Sequence, residues 1–174
     1  MKKSIATLAI LLCSVAAIVA QPRAIGVRLG YNLEASYQHG LGESGFLQAD
    51  AGVWYSFRAG QATLTYNHIL AQPNWTSYGE WCFSVGGGIG AGYYWGYRGY
   101  RNIWLSNYRY GWAGVVPVVQ LAFKFEFPLQ ISVDYRPNIG VKFYGEDYYG
   151  YYGNRIRYNT EGLFDVALSV RYTF

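Results

Sequence analysis

Strict alternation of apolar and polar residues runs through most of this chain, and it restricts the fold to β-strands with two unlike faces. The last twelve residues, Leu163 to Phe174, read L-F-D-V-A-L-S-V-R-Y-T-F. Phe164, Val166, Leu168, Val170, Tyr172 and Phe174 share one face, and Asp165, Ser169, Arg171 and Thr173 fall on the other. A strand of this kind has two homes. It can be an edge strand of a soluble sandwich, greasy face inward. It can also close a transmembrane barrel, with the greasy face against lipid and the edge paired to the first strand.

The start of the chain supplies an address. Met1-Lys2-Lys3 precedes an apolar run from Ile5 to Ala20, with small residues at Ala17 and Ala20. A basic start, a short apolar run and small residues at its end make a secretory signal peptide over residues 1–20. The run is shorter than the roughly 20 residues a spanning helix needs. Residues 21–174 are then the mature domain, and no later run is long and apolar enough for such a helix. The net charge of the whole chain is +4, and without Lys2 and Lys3 it is +2. That is too small to argue for nucleic acid. Cys82 is alone after the leader, so no internal disulfide is expected. Nineteen tyrosines, six tryptophans and 22 glycines fit strands with one apolar face and aromatic ends.

Seven alternating segments follow. Ile25–Gln38 alternates without a break. Phe46–Phe57 and Ala62–Gln72 flank a tight turn at Arg58-Ala59-Gly60-Gln61. Glu80–Trp95 sets Trp81, Phe83, Val85, Ile89 and Tyr93 against Ser84, Gly86, Gly88, Gly90 and Gly92. A wall with glycine at every second position leaves room for bulky side chains from across a narrow barrel. Gly114–Phe127 contains Pro117, which suggests a bulge. Leu129–Tyr144 and Leu163–Phe174 complete the set, with long connections over Gly96–Gly111 and Gly145–Glu161. Bacterial single-chain barrels have an even strand number. Either Ile25–Gln38 is two short strands joined at Gly30-Tyr31-Asn32, with Asn32 left-handed, or part of Asn102–Tyr110 is a strand. The first is favoured. The expected fold is all-β, an antiparallel, up-and-down, eight-stranded transmembrane barrel with both long loops at one end.

The polar face carries ten charges. They are Glu34, Asp50, Glu126, Asp134 and Asp165 against Arg28, Lys124, Arg136, Lys142 and Arg171. In a soluble sandwich these would be solvated. In a barrel they would be enclosed, and an eight-stranded barrel is about as wide as its own side chains need. Five acids and five bases inside it would pair and plug the lumen.

Several stretches resemble the small outer-membrane β-barrel family of Gram-negative bacteria, the group with OmpA-type domains and OmpX-like proteins. They are Ala24–Gly30 with Ser36-Tyr37-Gln38-His39, Gly86–Gly92, Phe127–Pro137 and Leu168–Phe174. The resemblance implies outer-membrane location and contact with lipid and lipopolysaccharide. It also implies insertion by the barrel assembly machinery, reading Phe174 and Tyr172 as the signal. It implies no shared enzymology.

The residues argue little for catalysis. His68 falls on the greasy face with Leu70 two residues on, and His39 sits at a strand end, so neither has a nucleophile close in sequence. The glycine run Gly86–Gly92 is followed by no helix and reads as packing, not as a nucleotide site. No cofactor or metal is implied. The loops mix aromatic and basic groups: Arg98, Arg101, Trp104 and Arg109, then Tyr148, Tyr151, Arg155 and Arg157. Such residues suit recognition of an extracellular ligand or of lipopolysaccharide phosphates. They suit an aromatic girdle equally well. The expected protein is a monomeric, non-enzymatic barrel for envelope structure or surface recognition. A narrow porin-like channel is the alternative, and a lipid A-modifying enzyme is a more distant one.

Overall fold

The computed structural model describes residues 22–54, 57–95, 109–144, 156–159 and 162–174. The leader expected at 1–20 lies outside them. The order of strands is β1 (Arg23–Leu29), β2 (Asn32–Gly40), β3 (Gly45–Trp54), β4 (Ala59–Ala71), β5 (Gly79–Tyr94), β6 (Tyr110–Phe125), β7 (Leu129–Tyr135), β8 (Ile139–Tyr144), β9 (Ile156–Asn159) and β10 (Val166–Thr173). All pairings are antiparallel. Strands β7 and β8 both pair with β6, and β10 and β9 pair with β7 and β8, so each of these couples is one interrupted stave. Ten strands thus make eight staves. The sheet closes on itself because β5 pairs with β6 and β1 pairs with β10.

The closure carries the stagger of a tilted barrel. One hydrogen-bonded row runs from Val170 through Val27, Ala35, Ala51, Ala62, Ala91, Ala113 and Val141. It returns to the starting stave at Tyr158, well above Val170. At the seam, Arg23 and Phe174 exchange both backbone hydrogen bonds, at 3.0 and 2.9 Å.

The eighth strand lies where the favoured reading put it. Strands β1 and β2 form a hairpin turning at Gly30 and Tyr31, with Leu29 facing Leu33. The left-handed residue expected at Asn32 is absent. Asn32 is buried on the inner face, and Phe57 is the one non-glycine residue with positive φ, 53°, among the described residues. The following turn is also corrected. It ends at Arg58, and Ala59, Gly60 and Gln61 already belong to β4. Trp95 Nε1 donates to the Phe57 carbonyl at 2.9 Å and holds that turn in place.

Pro117 does not make a bulge. The β5–β6 register runs through Pro117 opposite Gly87 without a shift, and the irregularity sits between Ile69 and Ala71 on β4. The reason is on the other edge of β6. Val115 pairs with Ile139 and Val119 with Tyr135, which sets Pro117 opposite Pro137 in the unpaired gap between β7 and β8. Neither proline has an N–H to donate, so the gap strands no donor of theirs. Leu129–Tyr144 is therefore two strands and not one. Across the opposite edge of the gap, Arg136 N donates to Asp165 O (2.8 Å) and Asn138 N to Gly162 O (3.1 Å). Gly162 has φ +86°, and a Cβ there would stand 2.8 Å from Asn138 Nδ2, so two constraints select glycine.

The connection expected as a loop over Gly145–Glu161 contains β9, and β6 begins at Tyr110, inside the other expected loop. Chain direction places both long connections at one end, with the turns after β1 and β3. The termini and the turns after β2, β4 and β6 occupy the other. These are called the loop end and the terminal end below.

Burial decides which face is inside. The polar face is enclosed: Arg28, Glu34, Ser36, Asp50, Asn67, Ser84, Gln120, Asp134, Ser169 and Arg171 are all at or below 2% exposed. The apolar face is outside: Ile89 is 65% exposed, Val115 56%, Val133 50% and Leu64 49%. A sandwich would bury the second set and expose the first. This arrangement is the reverse.

Candidate functional site, the buried ion-pair core

Eight of the ten charges assigned to the inner face are enclosed. They are Arg28, Arg136, Lys142 and Arg171 with Glu34, Asp50, Asp134 and Asp165, and their charges cancel. Lys124 and Glu126 are corrected. Both are exposed at the terminal end, Lys124 at the end of β6 opposite Glu80 and Glu126 just beyond it. Alternation set their phase correctly but could not show that the wall stops beside them.

Two arginines organise the centre. Arg28 projects from β1; its Nε and Nη2 donate to Asp134 Oδ1 at 2.9 and 2.6 Å. Its Nη1 donates to Glu34 Oε2 and to Asp165 Oδ2, each at 3.1 Å. Arg136 comes from the gap between β7 and β8. Its Nη1 donates to Asp50 Oδ2 at 2.6 Å and to Thr63 Oγ1 at 2.9 Å. Its Nη2 donates to Glu34 Oε2 at 2.5 Å. Glu34 is thus the shared acceptor of both guanidiniums, and its Oε1 accepts from Gln61 Nε2. Planar guanidiniums suit this role because each presents a fixed fork of donors to several carboxylates.

Burying a charge is costly unless its partners are close and its hydrogen bonds are made. Here the carboxylates come from β2, β3, β7 and the residue just before β10, so the network ties together staves that do not touch. Such a network is a cross-brace for a barrel whose lumen is polar.

Below the charges, towards the terminal end, the lumen holds neutral polar groups. Gln130 Nε2 donates to Gln38 Oε1 (3.2 Å), Gln38 Nε2 to Gln48 Oε1 (2.8 Å) and Gln48 Nε2 to Asp50 Oδ2 (2.8 Å). This chain crosses from β7 to β3. Arg171 lies in the same region and donates to Ser36 Oγ (2.9 Å) and Ser132 Oγ (2.7 Å). The glutamines and serines were not singled out in the sequence, although their phase put them on the polar face.

Above the charges, aromatic rings line the inner wall. Trp54 and Tyr94 are 5.8 Å apart, Tyr94 and Tyr110 5.2 Å, and Tyr110 and Tyr144 5.7 Å. Lys142 Nζ stands 4.7 Å over the Tyr110 ring, a cation–π contact. The glycine wall of β5 receives Trp112. A Cβ on Gly92 would stand 2.3 Å from Trp112 Nε1, and one on Gly90 3.0 Å from its ring. The expectation of bulky groups from across the barrel is corrected: the bulky group is Trp112, paired with Gly92 on the neighbouring stave β6, and a Cβ on Gly86 or Gly88 would strike the backbone of β4. The even-number phase of Tyr110 and Trp112, shared with Gln120, was the signal that could have identified them as inward.

Of the loop candidates, Arg109 is exposed just before β6 and Arg157 is exposed on β9, 6.0 Å over the Tyr144 ring. Arg98, Arg101, Trp104, Tyr148, Tyr151 and Arg155 lie outside the described residues. His68 is exposed on the outer face, and the Tyr37 hydroxyl is 3.3 Å from His39 Nδ1. Cys82 is half-buried on β5. Tyr172 and Phe174 are exposed on the outer face beside the seam.

Comparison of the chain with protein-family models, with curated proteins and with solved structures finds no match in any of the three.

Proposed function

We propose that this barrel spans the outer membrane of a Gram-negative bacterium as a monomer with a plugged lumen, and serves envelope structure or surface recognition through its long loops. The inverted burial carries the reading. A closed barrel with charges inside and an exposed apolar exterior is at odds with water and in accord with lipid. The exterior is also zoned. Trp75, Tyr78, Phe127, Tyr172 and Phe174 are exposed at the terminal end; Tyr31, Phe57, Tyr93, Trp95, Phe143 and Tyr158 are exposed at the loop end. Between them lie Val27, Leu33, Leu64, Ile89, Val115, Val119 and Leu168. Two aromatic girdles around an aliphatic band match the demands of two membrane interfaces and a hydrocarbon core.

On this reading the terminal end faces the periplasm and both long connections face outward, in contact with lipopolysaccharide. The leader is a signal peptide, and the assembly machinery recognises the strand that ends in Tyr172 and Phe174. The central network closes the lumen to ions, and the protein performs no chemistry. The deciding experiment is membrane fractionation with heat-modifiable migration in detergent gels. The expected result is an outer-membrane protein whose unheated form migrates as a compact barrel. Recovery in the soluble periplasm without that band would end the membrane reading. Planar-bilayer recordings address the lumen: no steady conductance is expected, and single channels of constant size would favour the porin-like alternative.

A further inference from the structure

The interruption beside Pro137 divides two adjacent staves at one place, and the pairing differs on its two sides. Below it, towards the terminal end, β7 and β10 pair from Leu129 opposite Tyr172 to Tyr135 opposite Val166. Above it, β8 and β9 pair from Gly140 opposite Asn159 to Phe143 opposite Ile156. The chain runs from Tyr135 to Gly140 on one stave and from Asn159 to Val166 on the other, and the second path is two residues longer. The upper and lower pairings are therefore in different registers, and neither can be extended into the other. The ladder with β6 lapses at the same level, between Val115 and Val119.

The bracing changes there as well. Asp134, Arg136 and Asp165 tie the lower half to Arg28, Glu34 and Asp50 on β1, β2 and β3. In the upper half, Lys142 stands over the Tyr110 ring, Tyr144 packs on the same ring at 5.7 Å, and Arg157 lies 6.0 Å over Tyr144. These contacts run to the adjacent stave β6 or stay between β8 and β9. We propose that β8 and β9 form a hinged flap, pivoting at Pro137 and Gly162, that opens as one unit while the rest of the barrel stays closed. Segments that share a continuous pairing open together, so a change of register divides a wall into units of separate stability. Opening breaks the β6–β8 ladder from Tyr110–Tyr144 to Val115–Ile139 and lifts Lys142 from Tyr110. The ion-pair network, anchored at and below the pivots, stays shut. The inference rests on register and bracing and not on the membrane reading.

The test is residue-resolved hydrogen exchange, read by NMR on the folded protein in detergent micelles. The amides of β8 and β9, and those of β6 that bond to β8, are expected to share one protection value. They should exchange at least about tenfold faster than the amides of β7 and β10. The same margin is expected over Ala59–Leu64 of β4, which shares their hydrogen-bonded rows on an unbroken stave. Ala113→Cys with Val141→Cys, a facing pair within disulfide reach, tethers the flap to β6 in a Cys82→Ser background. Its oxidation should bring both β8 and β9 to the protection of β7. Glu34→Gln, which weakens the bracing of the lower half, should speed exchange in β7 and β10 and leave β8 and β9 unchanged. The proposal is overturned by protection in β8 equal to that of Ala59–Leu64, by protection that fades residue by residue from Ile139 to Tyr144, by a tether that leaves β9 unaffected, or by a Glu34→Gln variant that speeds both halves alike.

Discussion

Glu34→Gln is the sharpest perturbation of the interior. The substitution keeps the volume and leaves an oxygen acceptor, but it removes the carboxylate that accepts hydrogen bonds from both Arg28 (3.1 Å) and Arg136 (2.5 Å). All three side chains are at or below 1% exposed, so water cannot replace the lost charge. Breaking a buried pair by removing one partner costs about 3–5 kcal/mol. Arg28 keeps Asp134 and Asp165, and Arg136 keeps Asp50 and, at 3.8 Å, Asp165, which places the expected loss near the lower end, about 3 kcal/mol. With a urea m value of about 2 kcal/mol/M, the midpoint should fall by about 1.5 M. The assay is reversible urea unfolding of the folded barrel, followed by tryptophan fluorescence and by the heat-modifiable gel shift. Glu126→Gln, at the exposed rim, is the control and should change stability by no more than about 0.5 kcal/mol. Adding Arg28→Met to Glu34→Gln removes one charge of each sign, so the double variant should be less destabilised than the sum of the singles by about 1–3 kcal/mol. The reasoning fails if Glu34→Gln and Glu126→Gln shift the midpoint alike, or if the double variant is strictly additive.

Three further outcomes are expected. Ile89→Arg, on the exposed face of β5, should cost about 2–4 kcal/mol in a bilayer if that face meets hydrocarbon, and a loss under about 0.5 kcal/mol, ordinary for a water-exposed site, would argue for an aqueous exterior. Gly92→Val should be destabilising by about 1–3 kcal/mol through collision with Trp112, and Trp112→Ala in the same chain should recover part of it; no recovery would mean that the glycine answers to the backbone and not to the indole. Phe174→Ala leaves the backbone pair with Arg23 intact, so refolding in detergent should be near normal while the amount assembled in cells falls; equal assembly in cells would remove Phe174 from the recognition signal.

Alternation by itself determined a great deal about this protein. It sorted nearly every strand residue onto one of two faces, because successive side chains of a strand point oppositely whatever lies around it. It placed Arg28, Glu34, Asp50, Asp134, Arg136, Lys142, Asp165 and Arg171 on one surface, and strand parity located the β1–β2 hairpin. Alternation is symmetric under exchange of inside and outside, however. A sandwich and a barrel share it, and only closure of β1 on β10 and β5 on β6 makes the polar face the interior. Which charges pair was equally hidden. Glu34 meets Arg136, and Asp165 meets Arg28, across more than a hundred residues of chain. The stagger of the closed wall sets those meetings, and no local pattern encodes it. Height within the wall explains the remaining errors: Lys124 and Glu126 have the inward phase but stand at the rim, in reach of water. Pro117 read alone is a defect, and opposite Pro137 it is a matched gap that admits Arg136 to the network. The period of the chain decided what faces together, and the tertiary closure decided what is enclosed and what it touches.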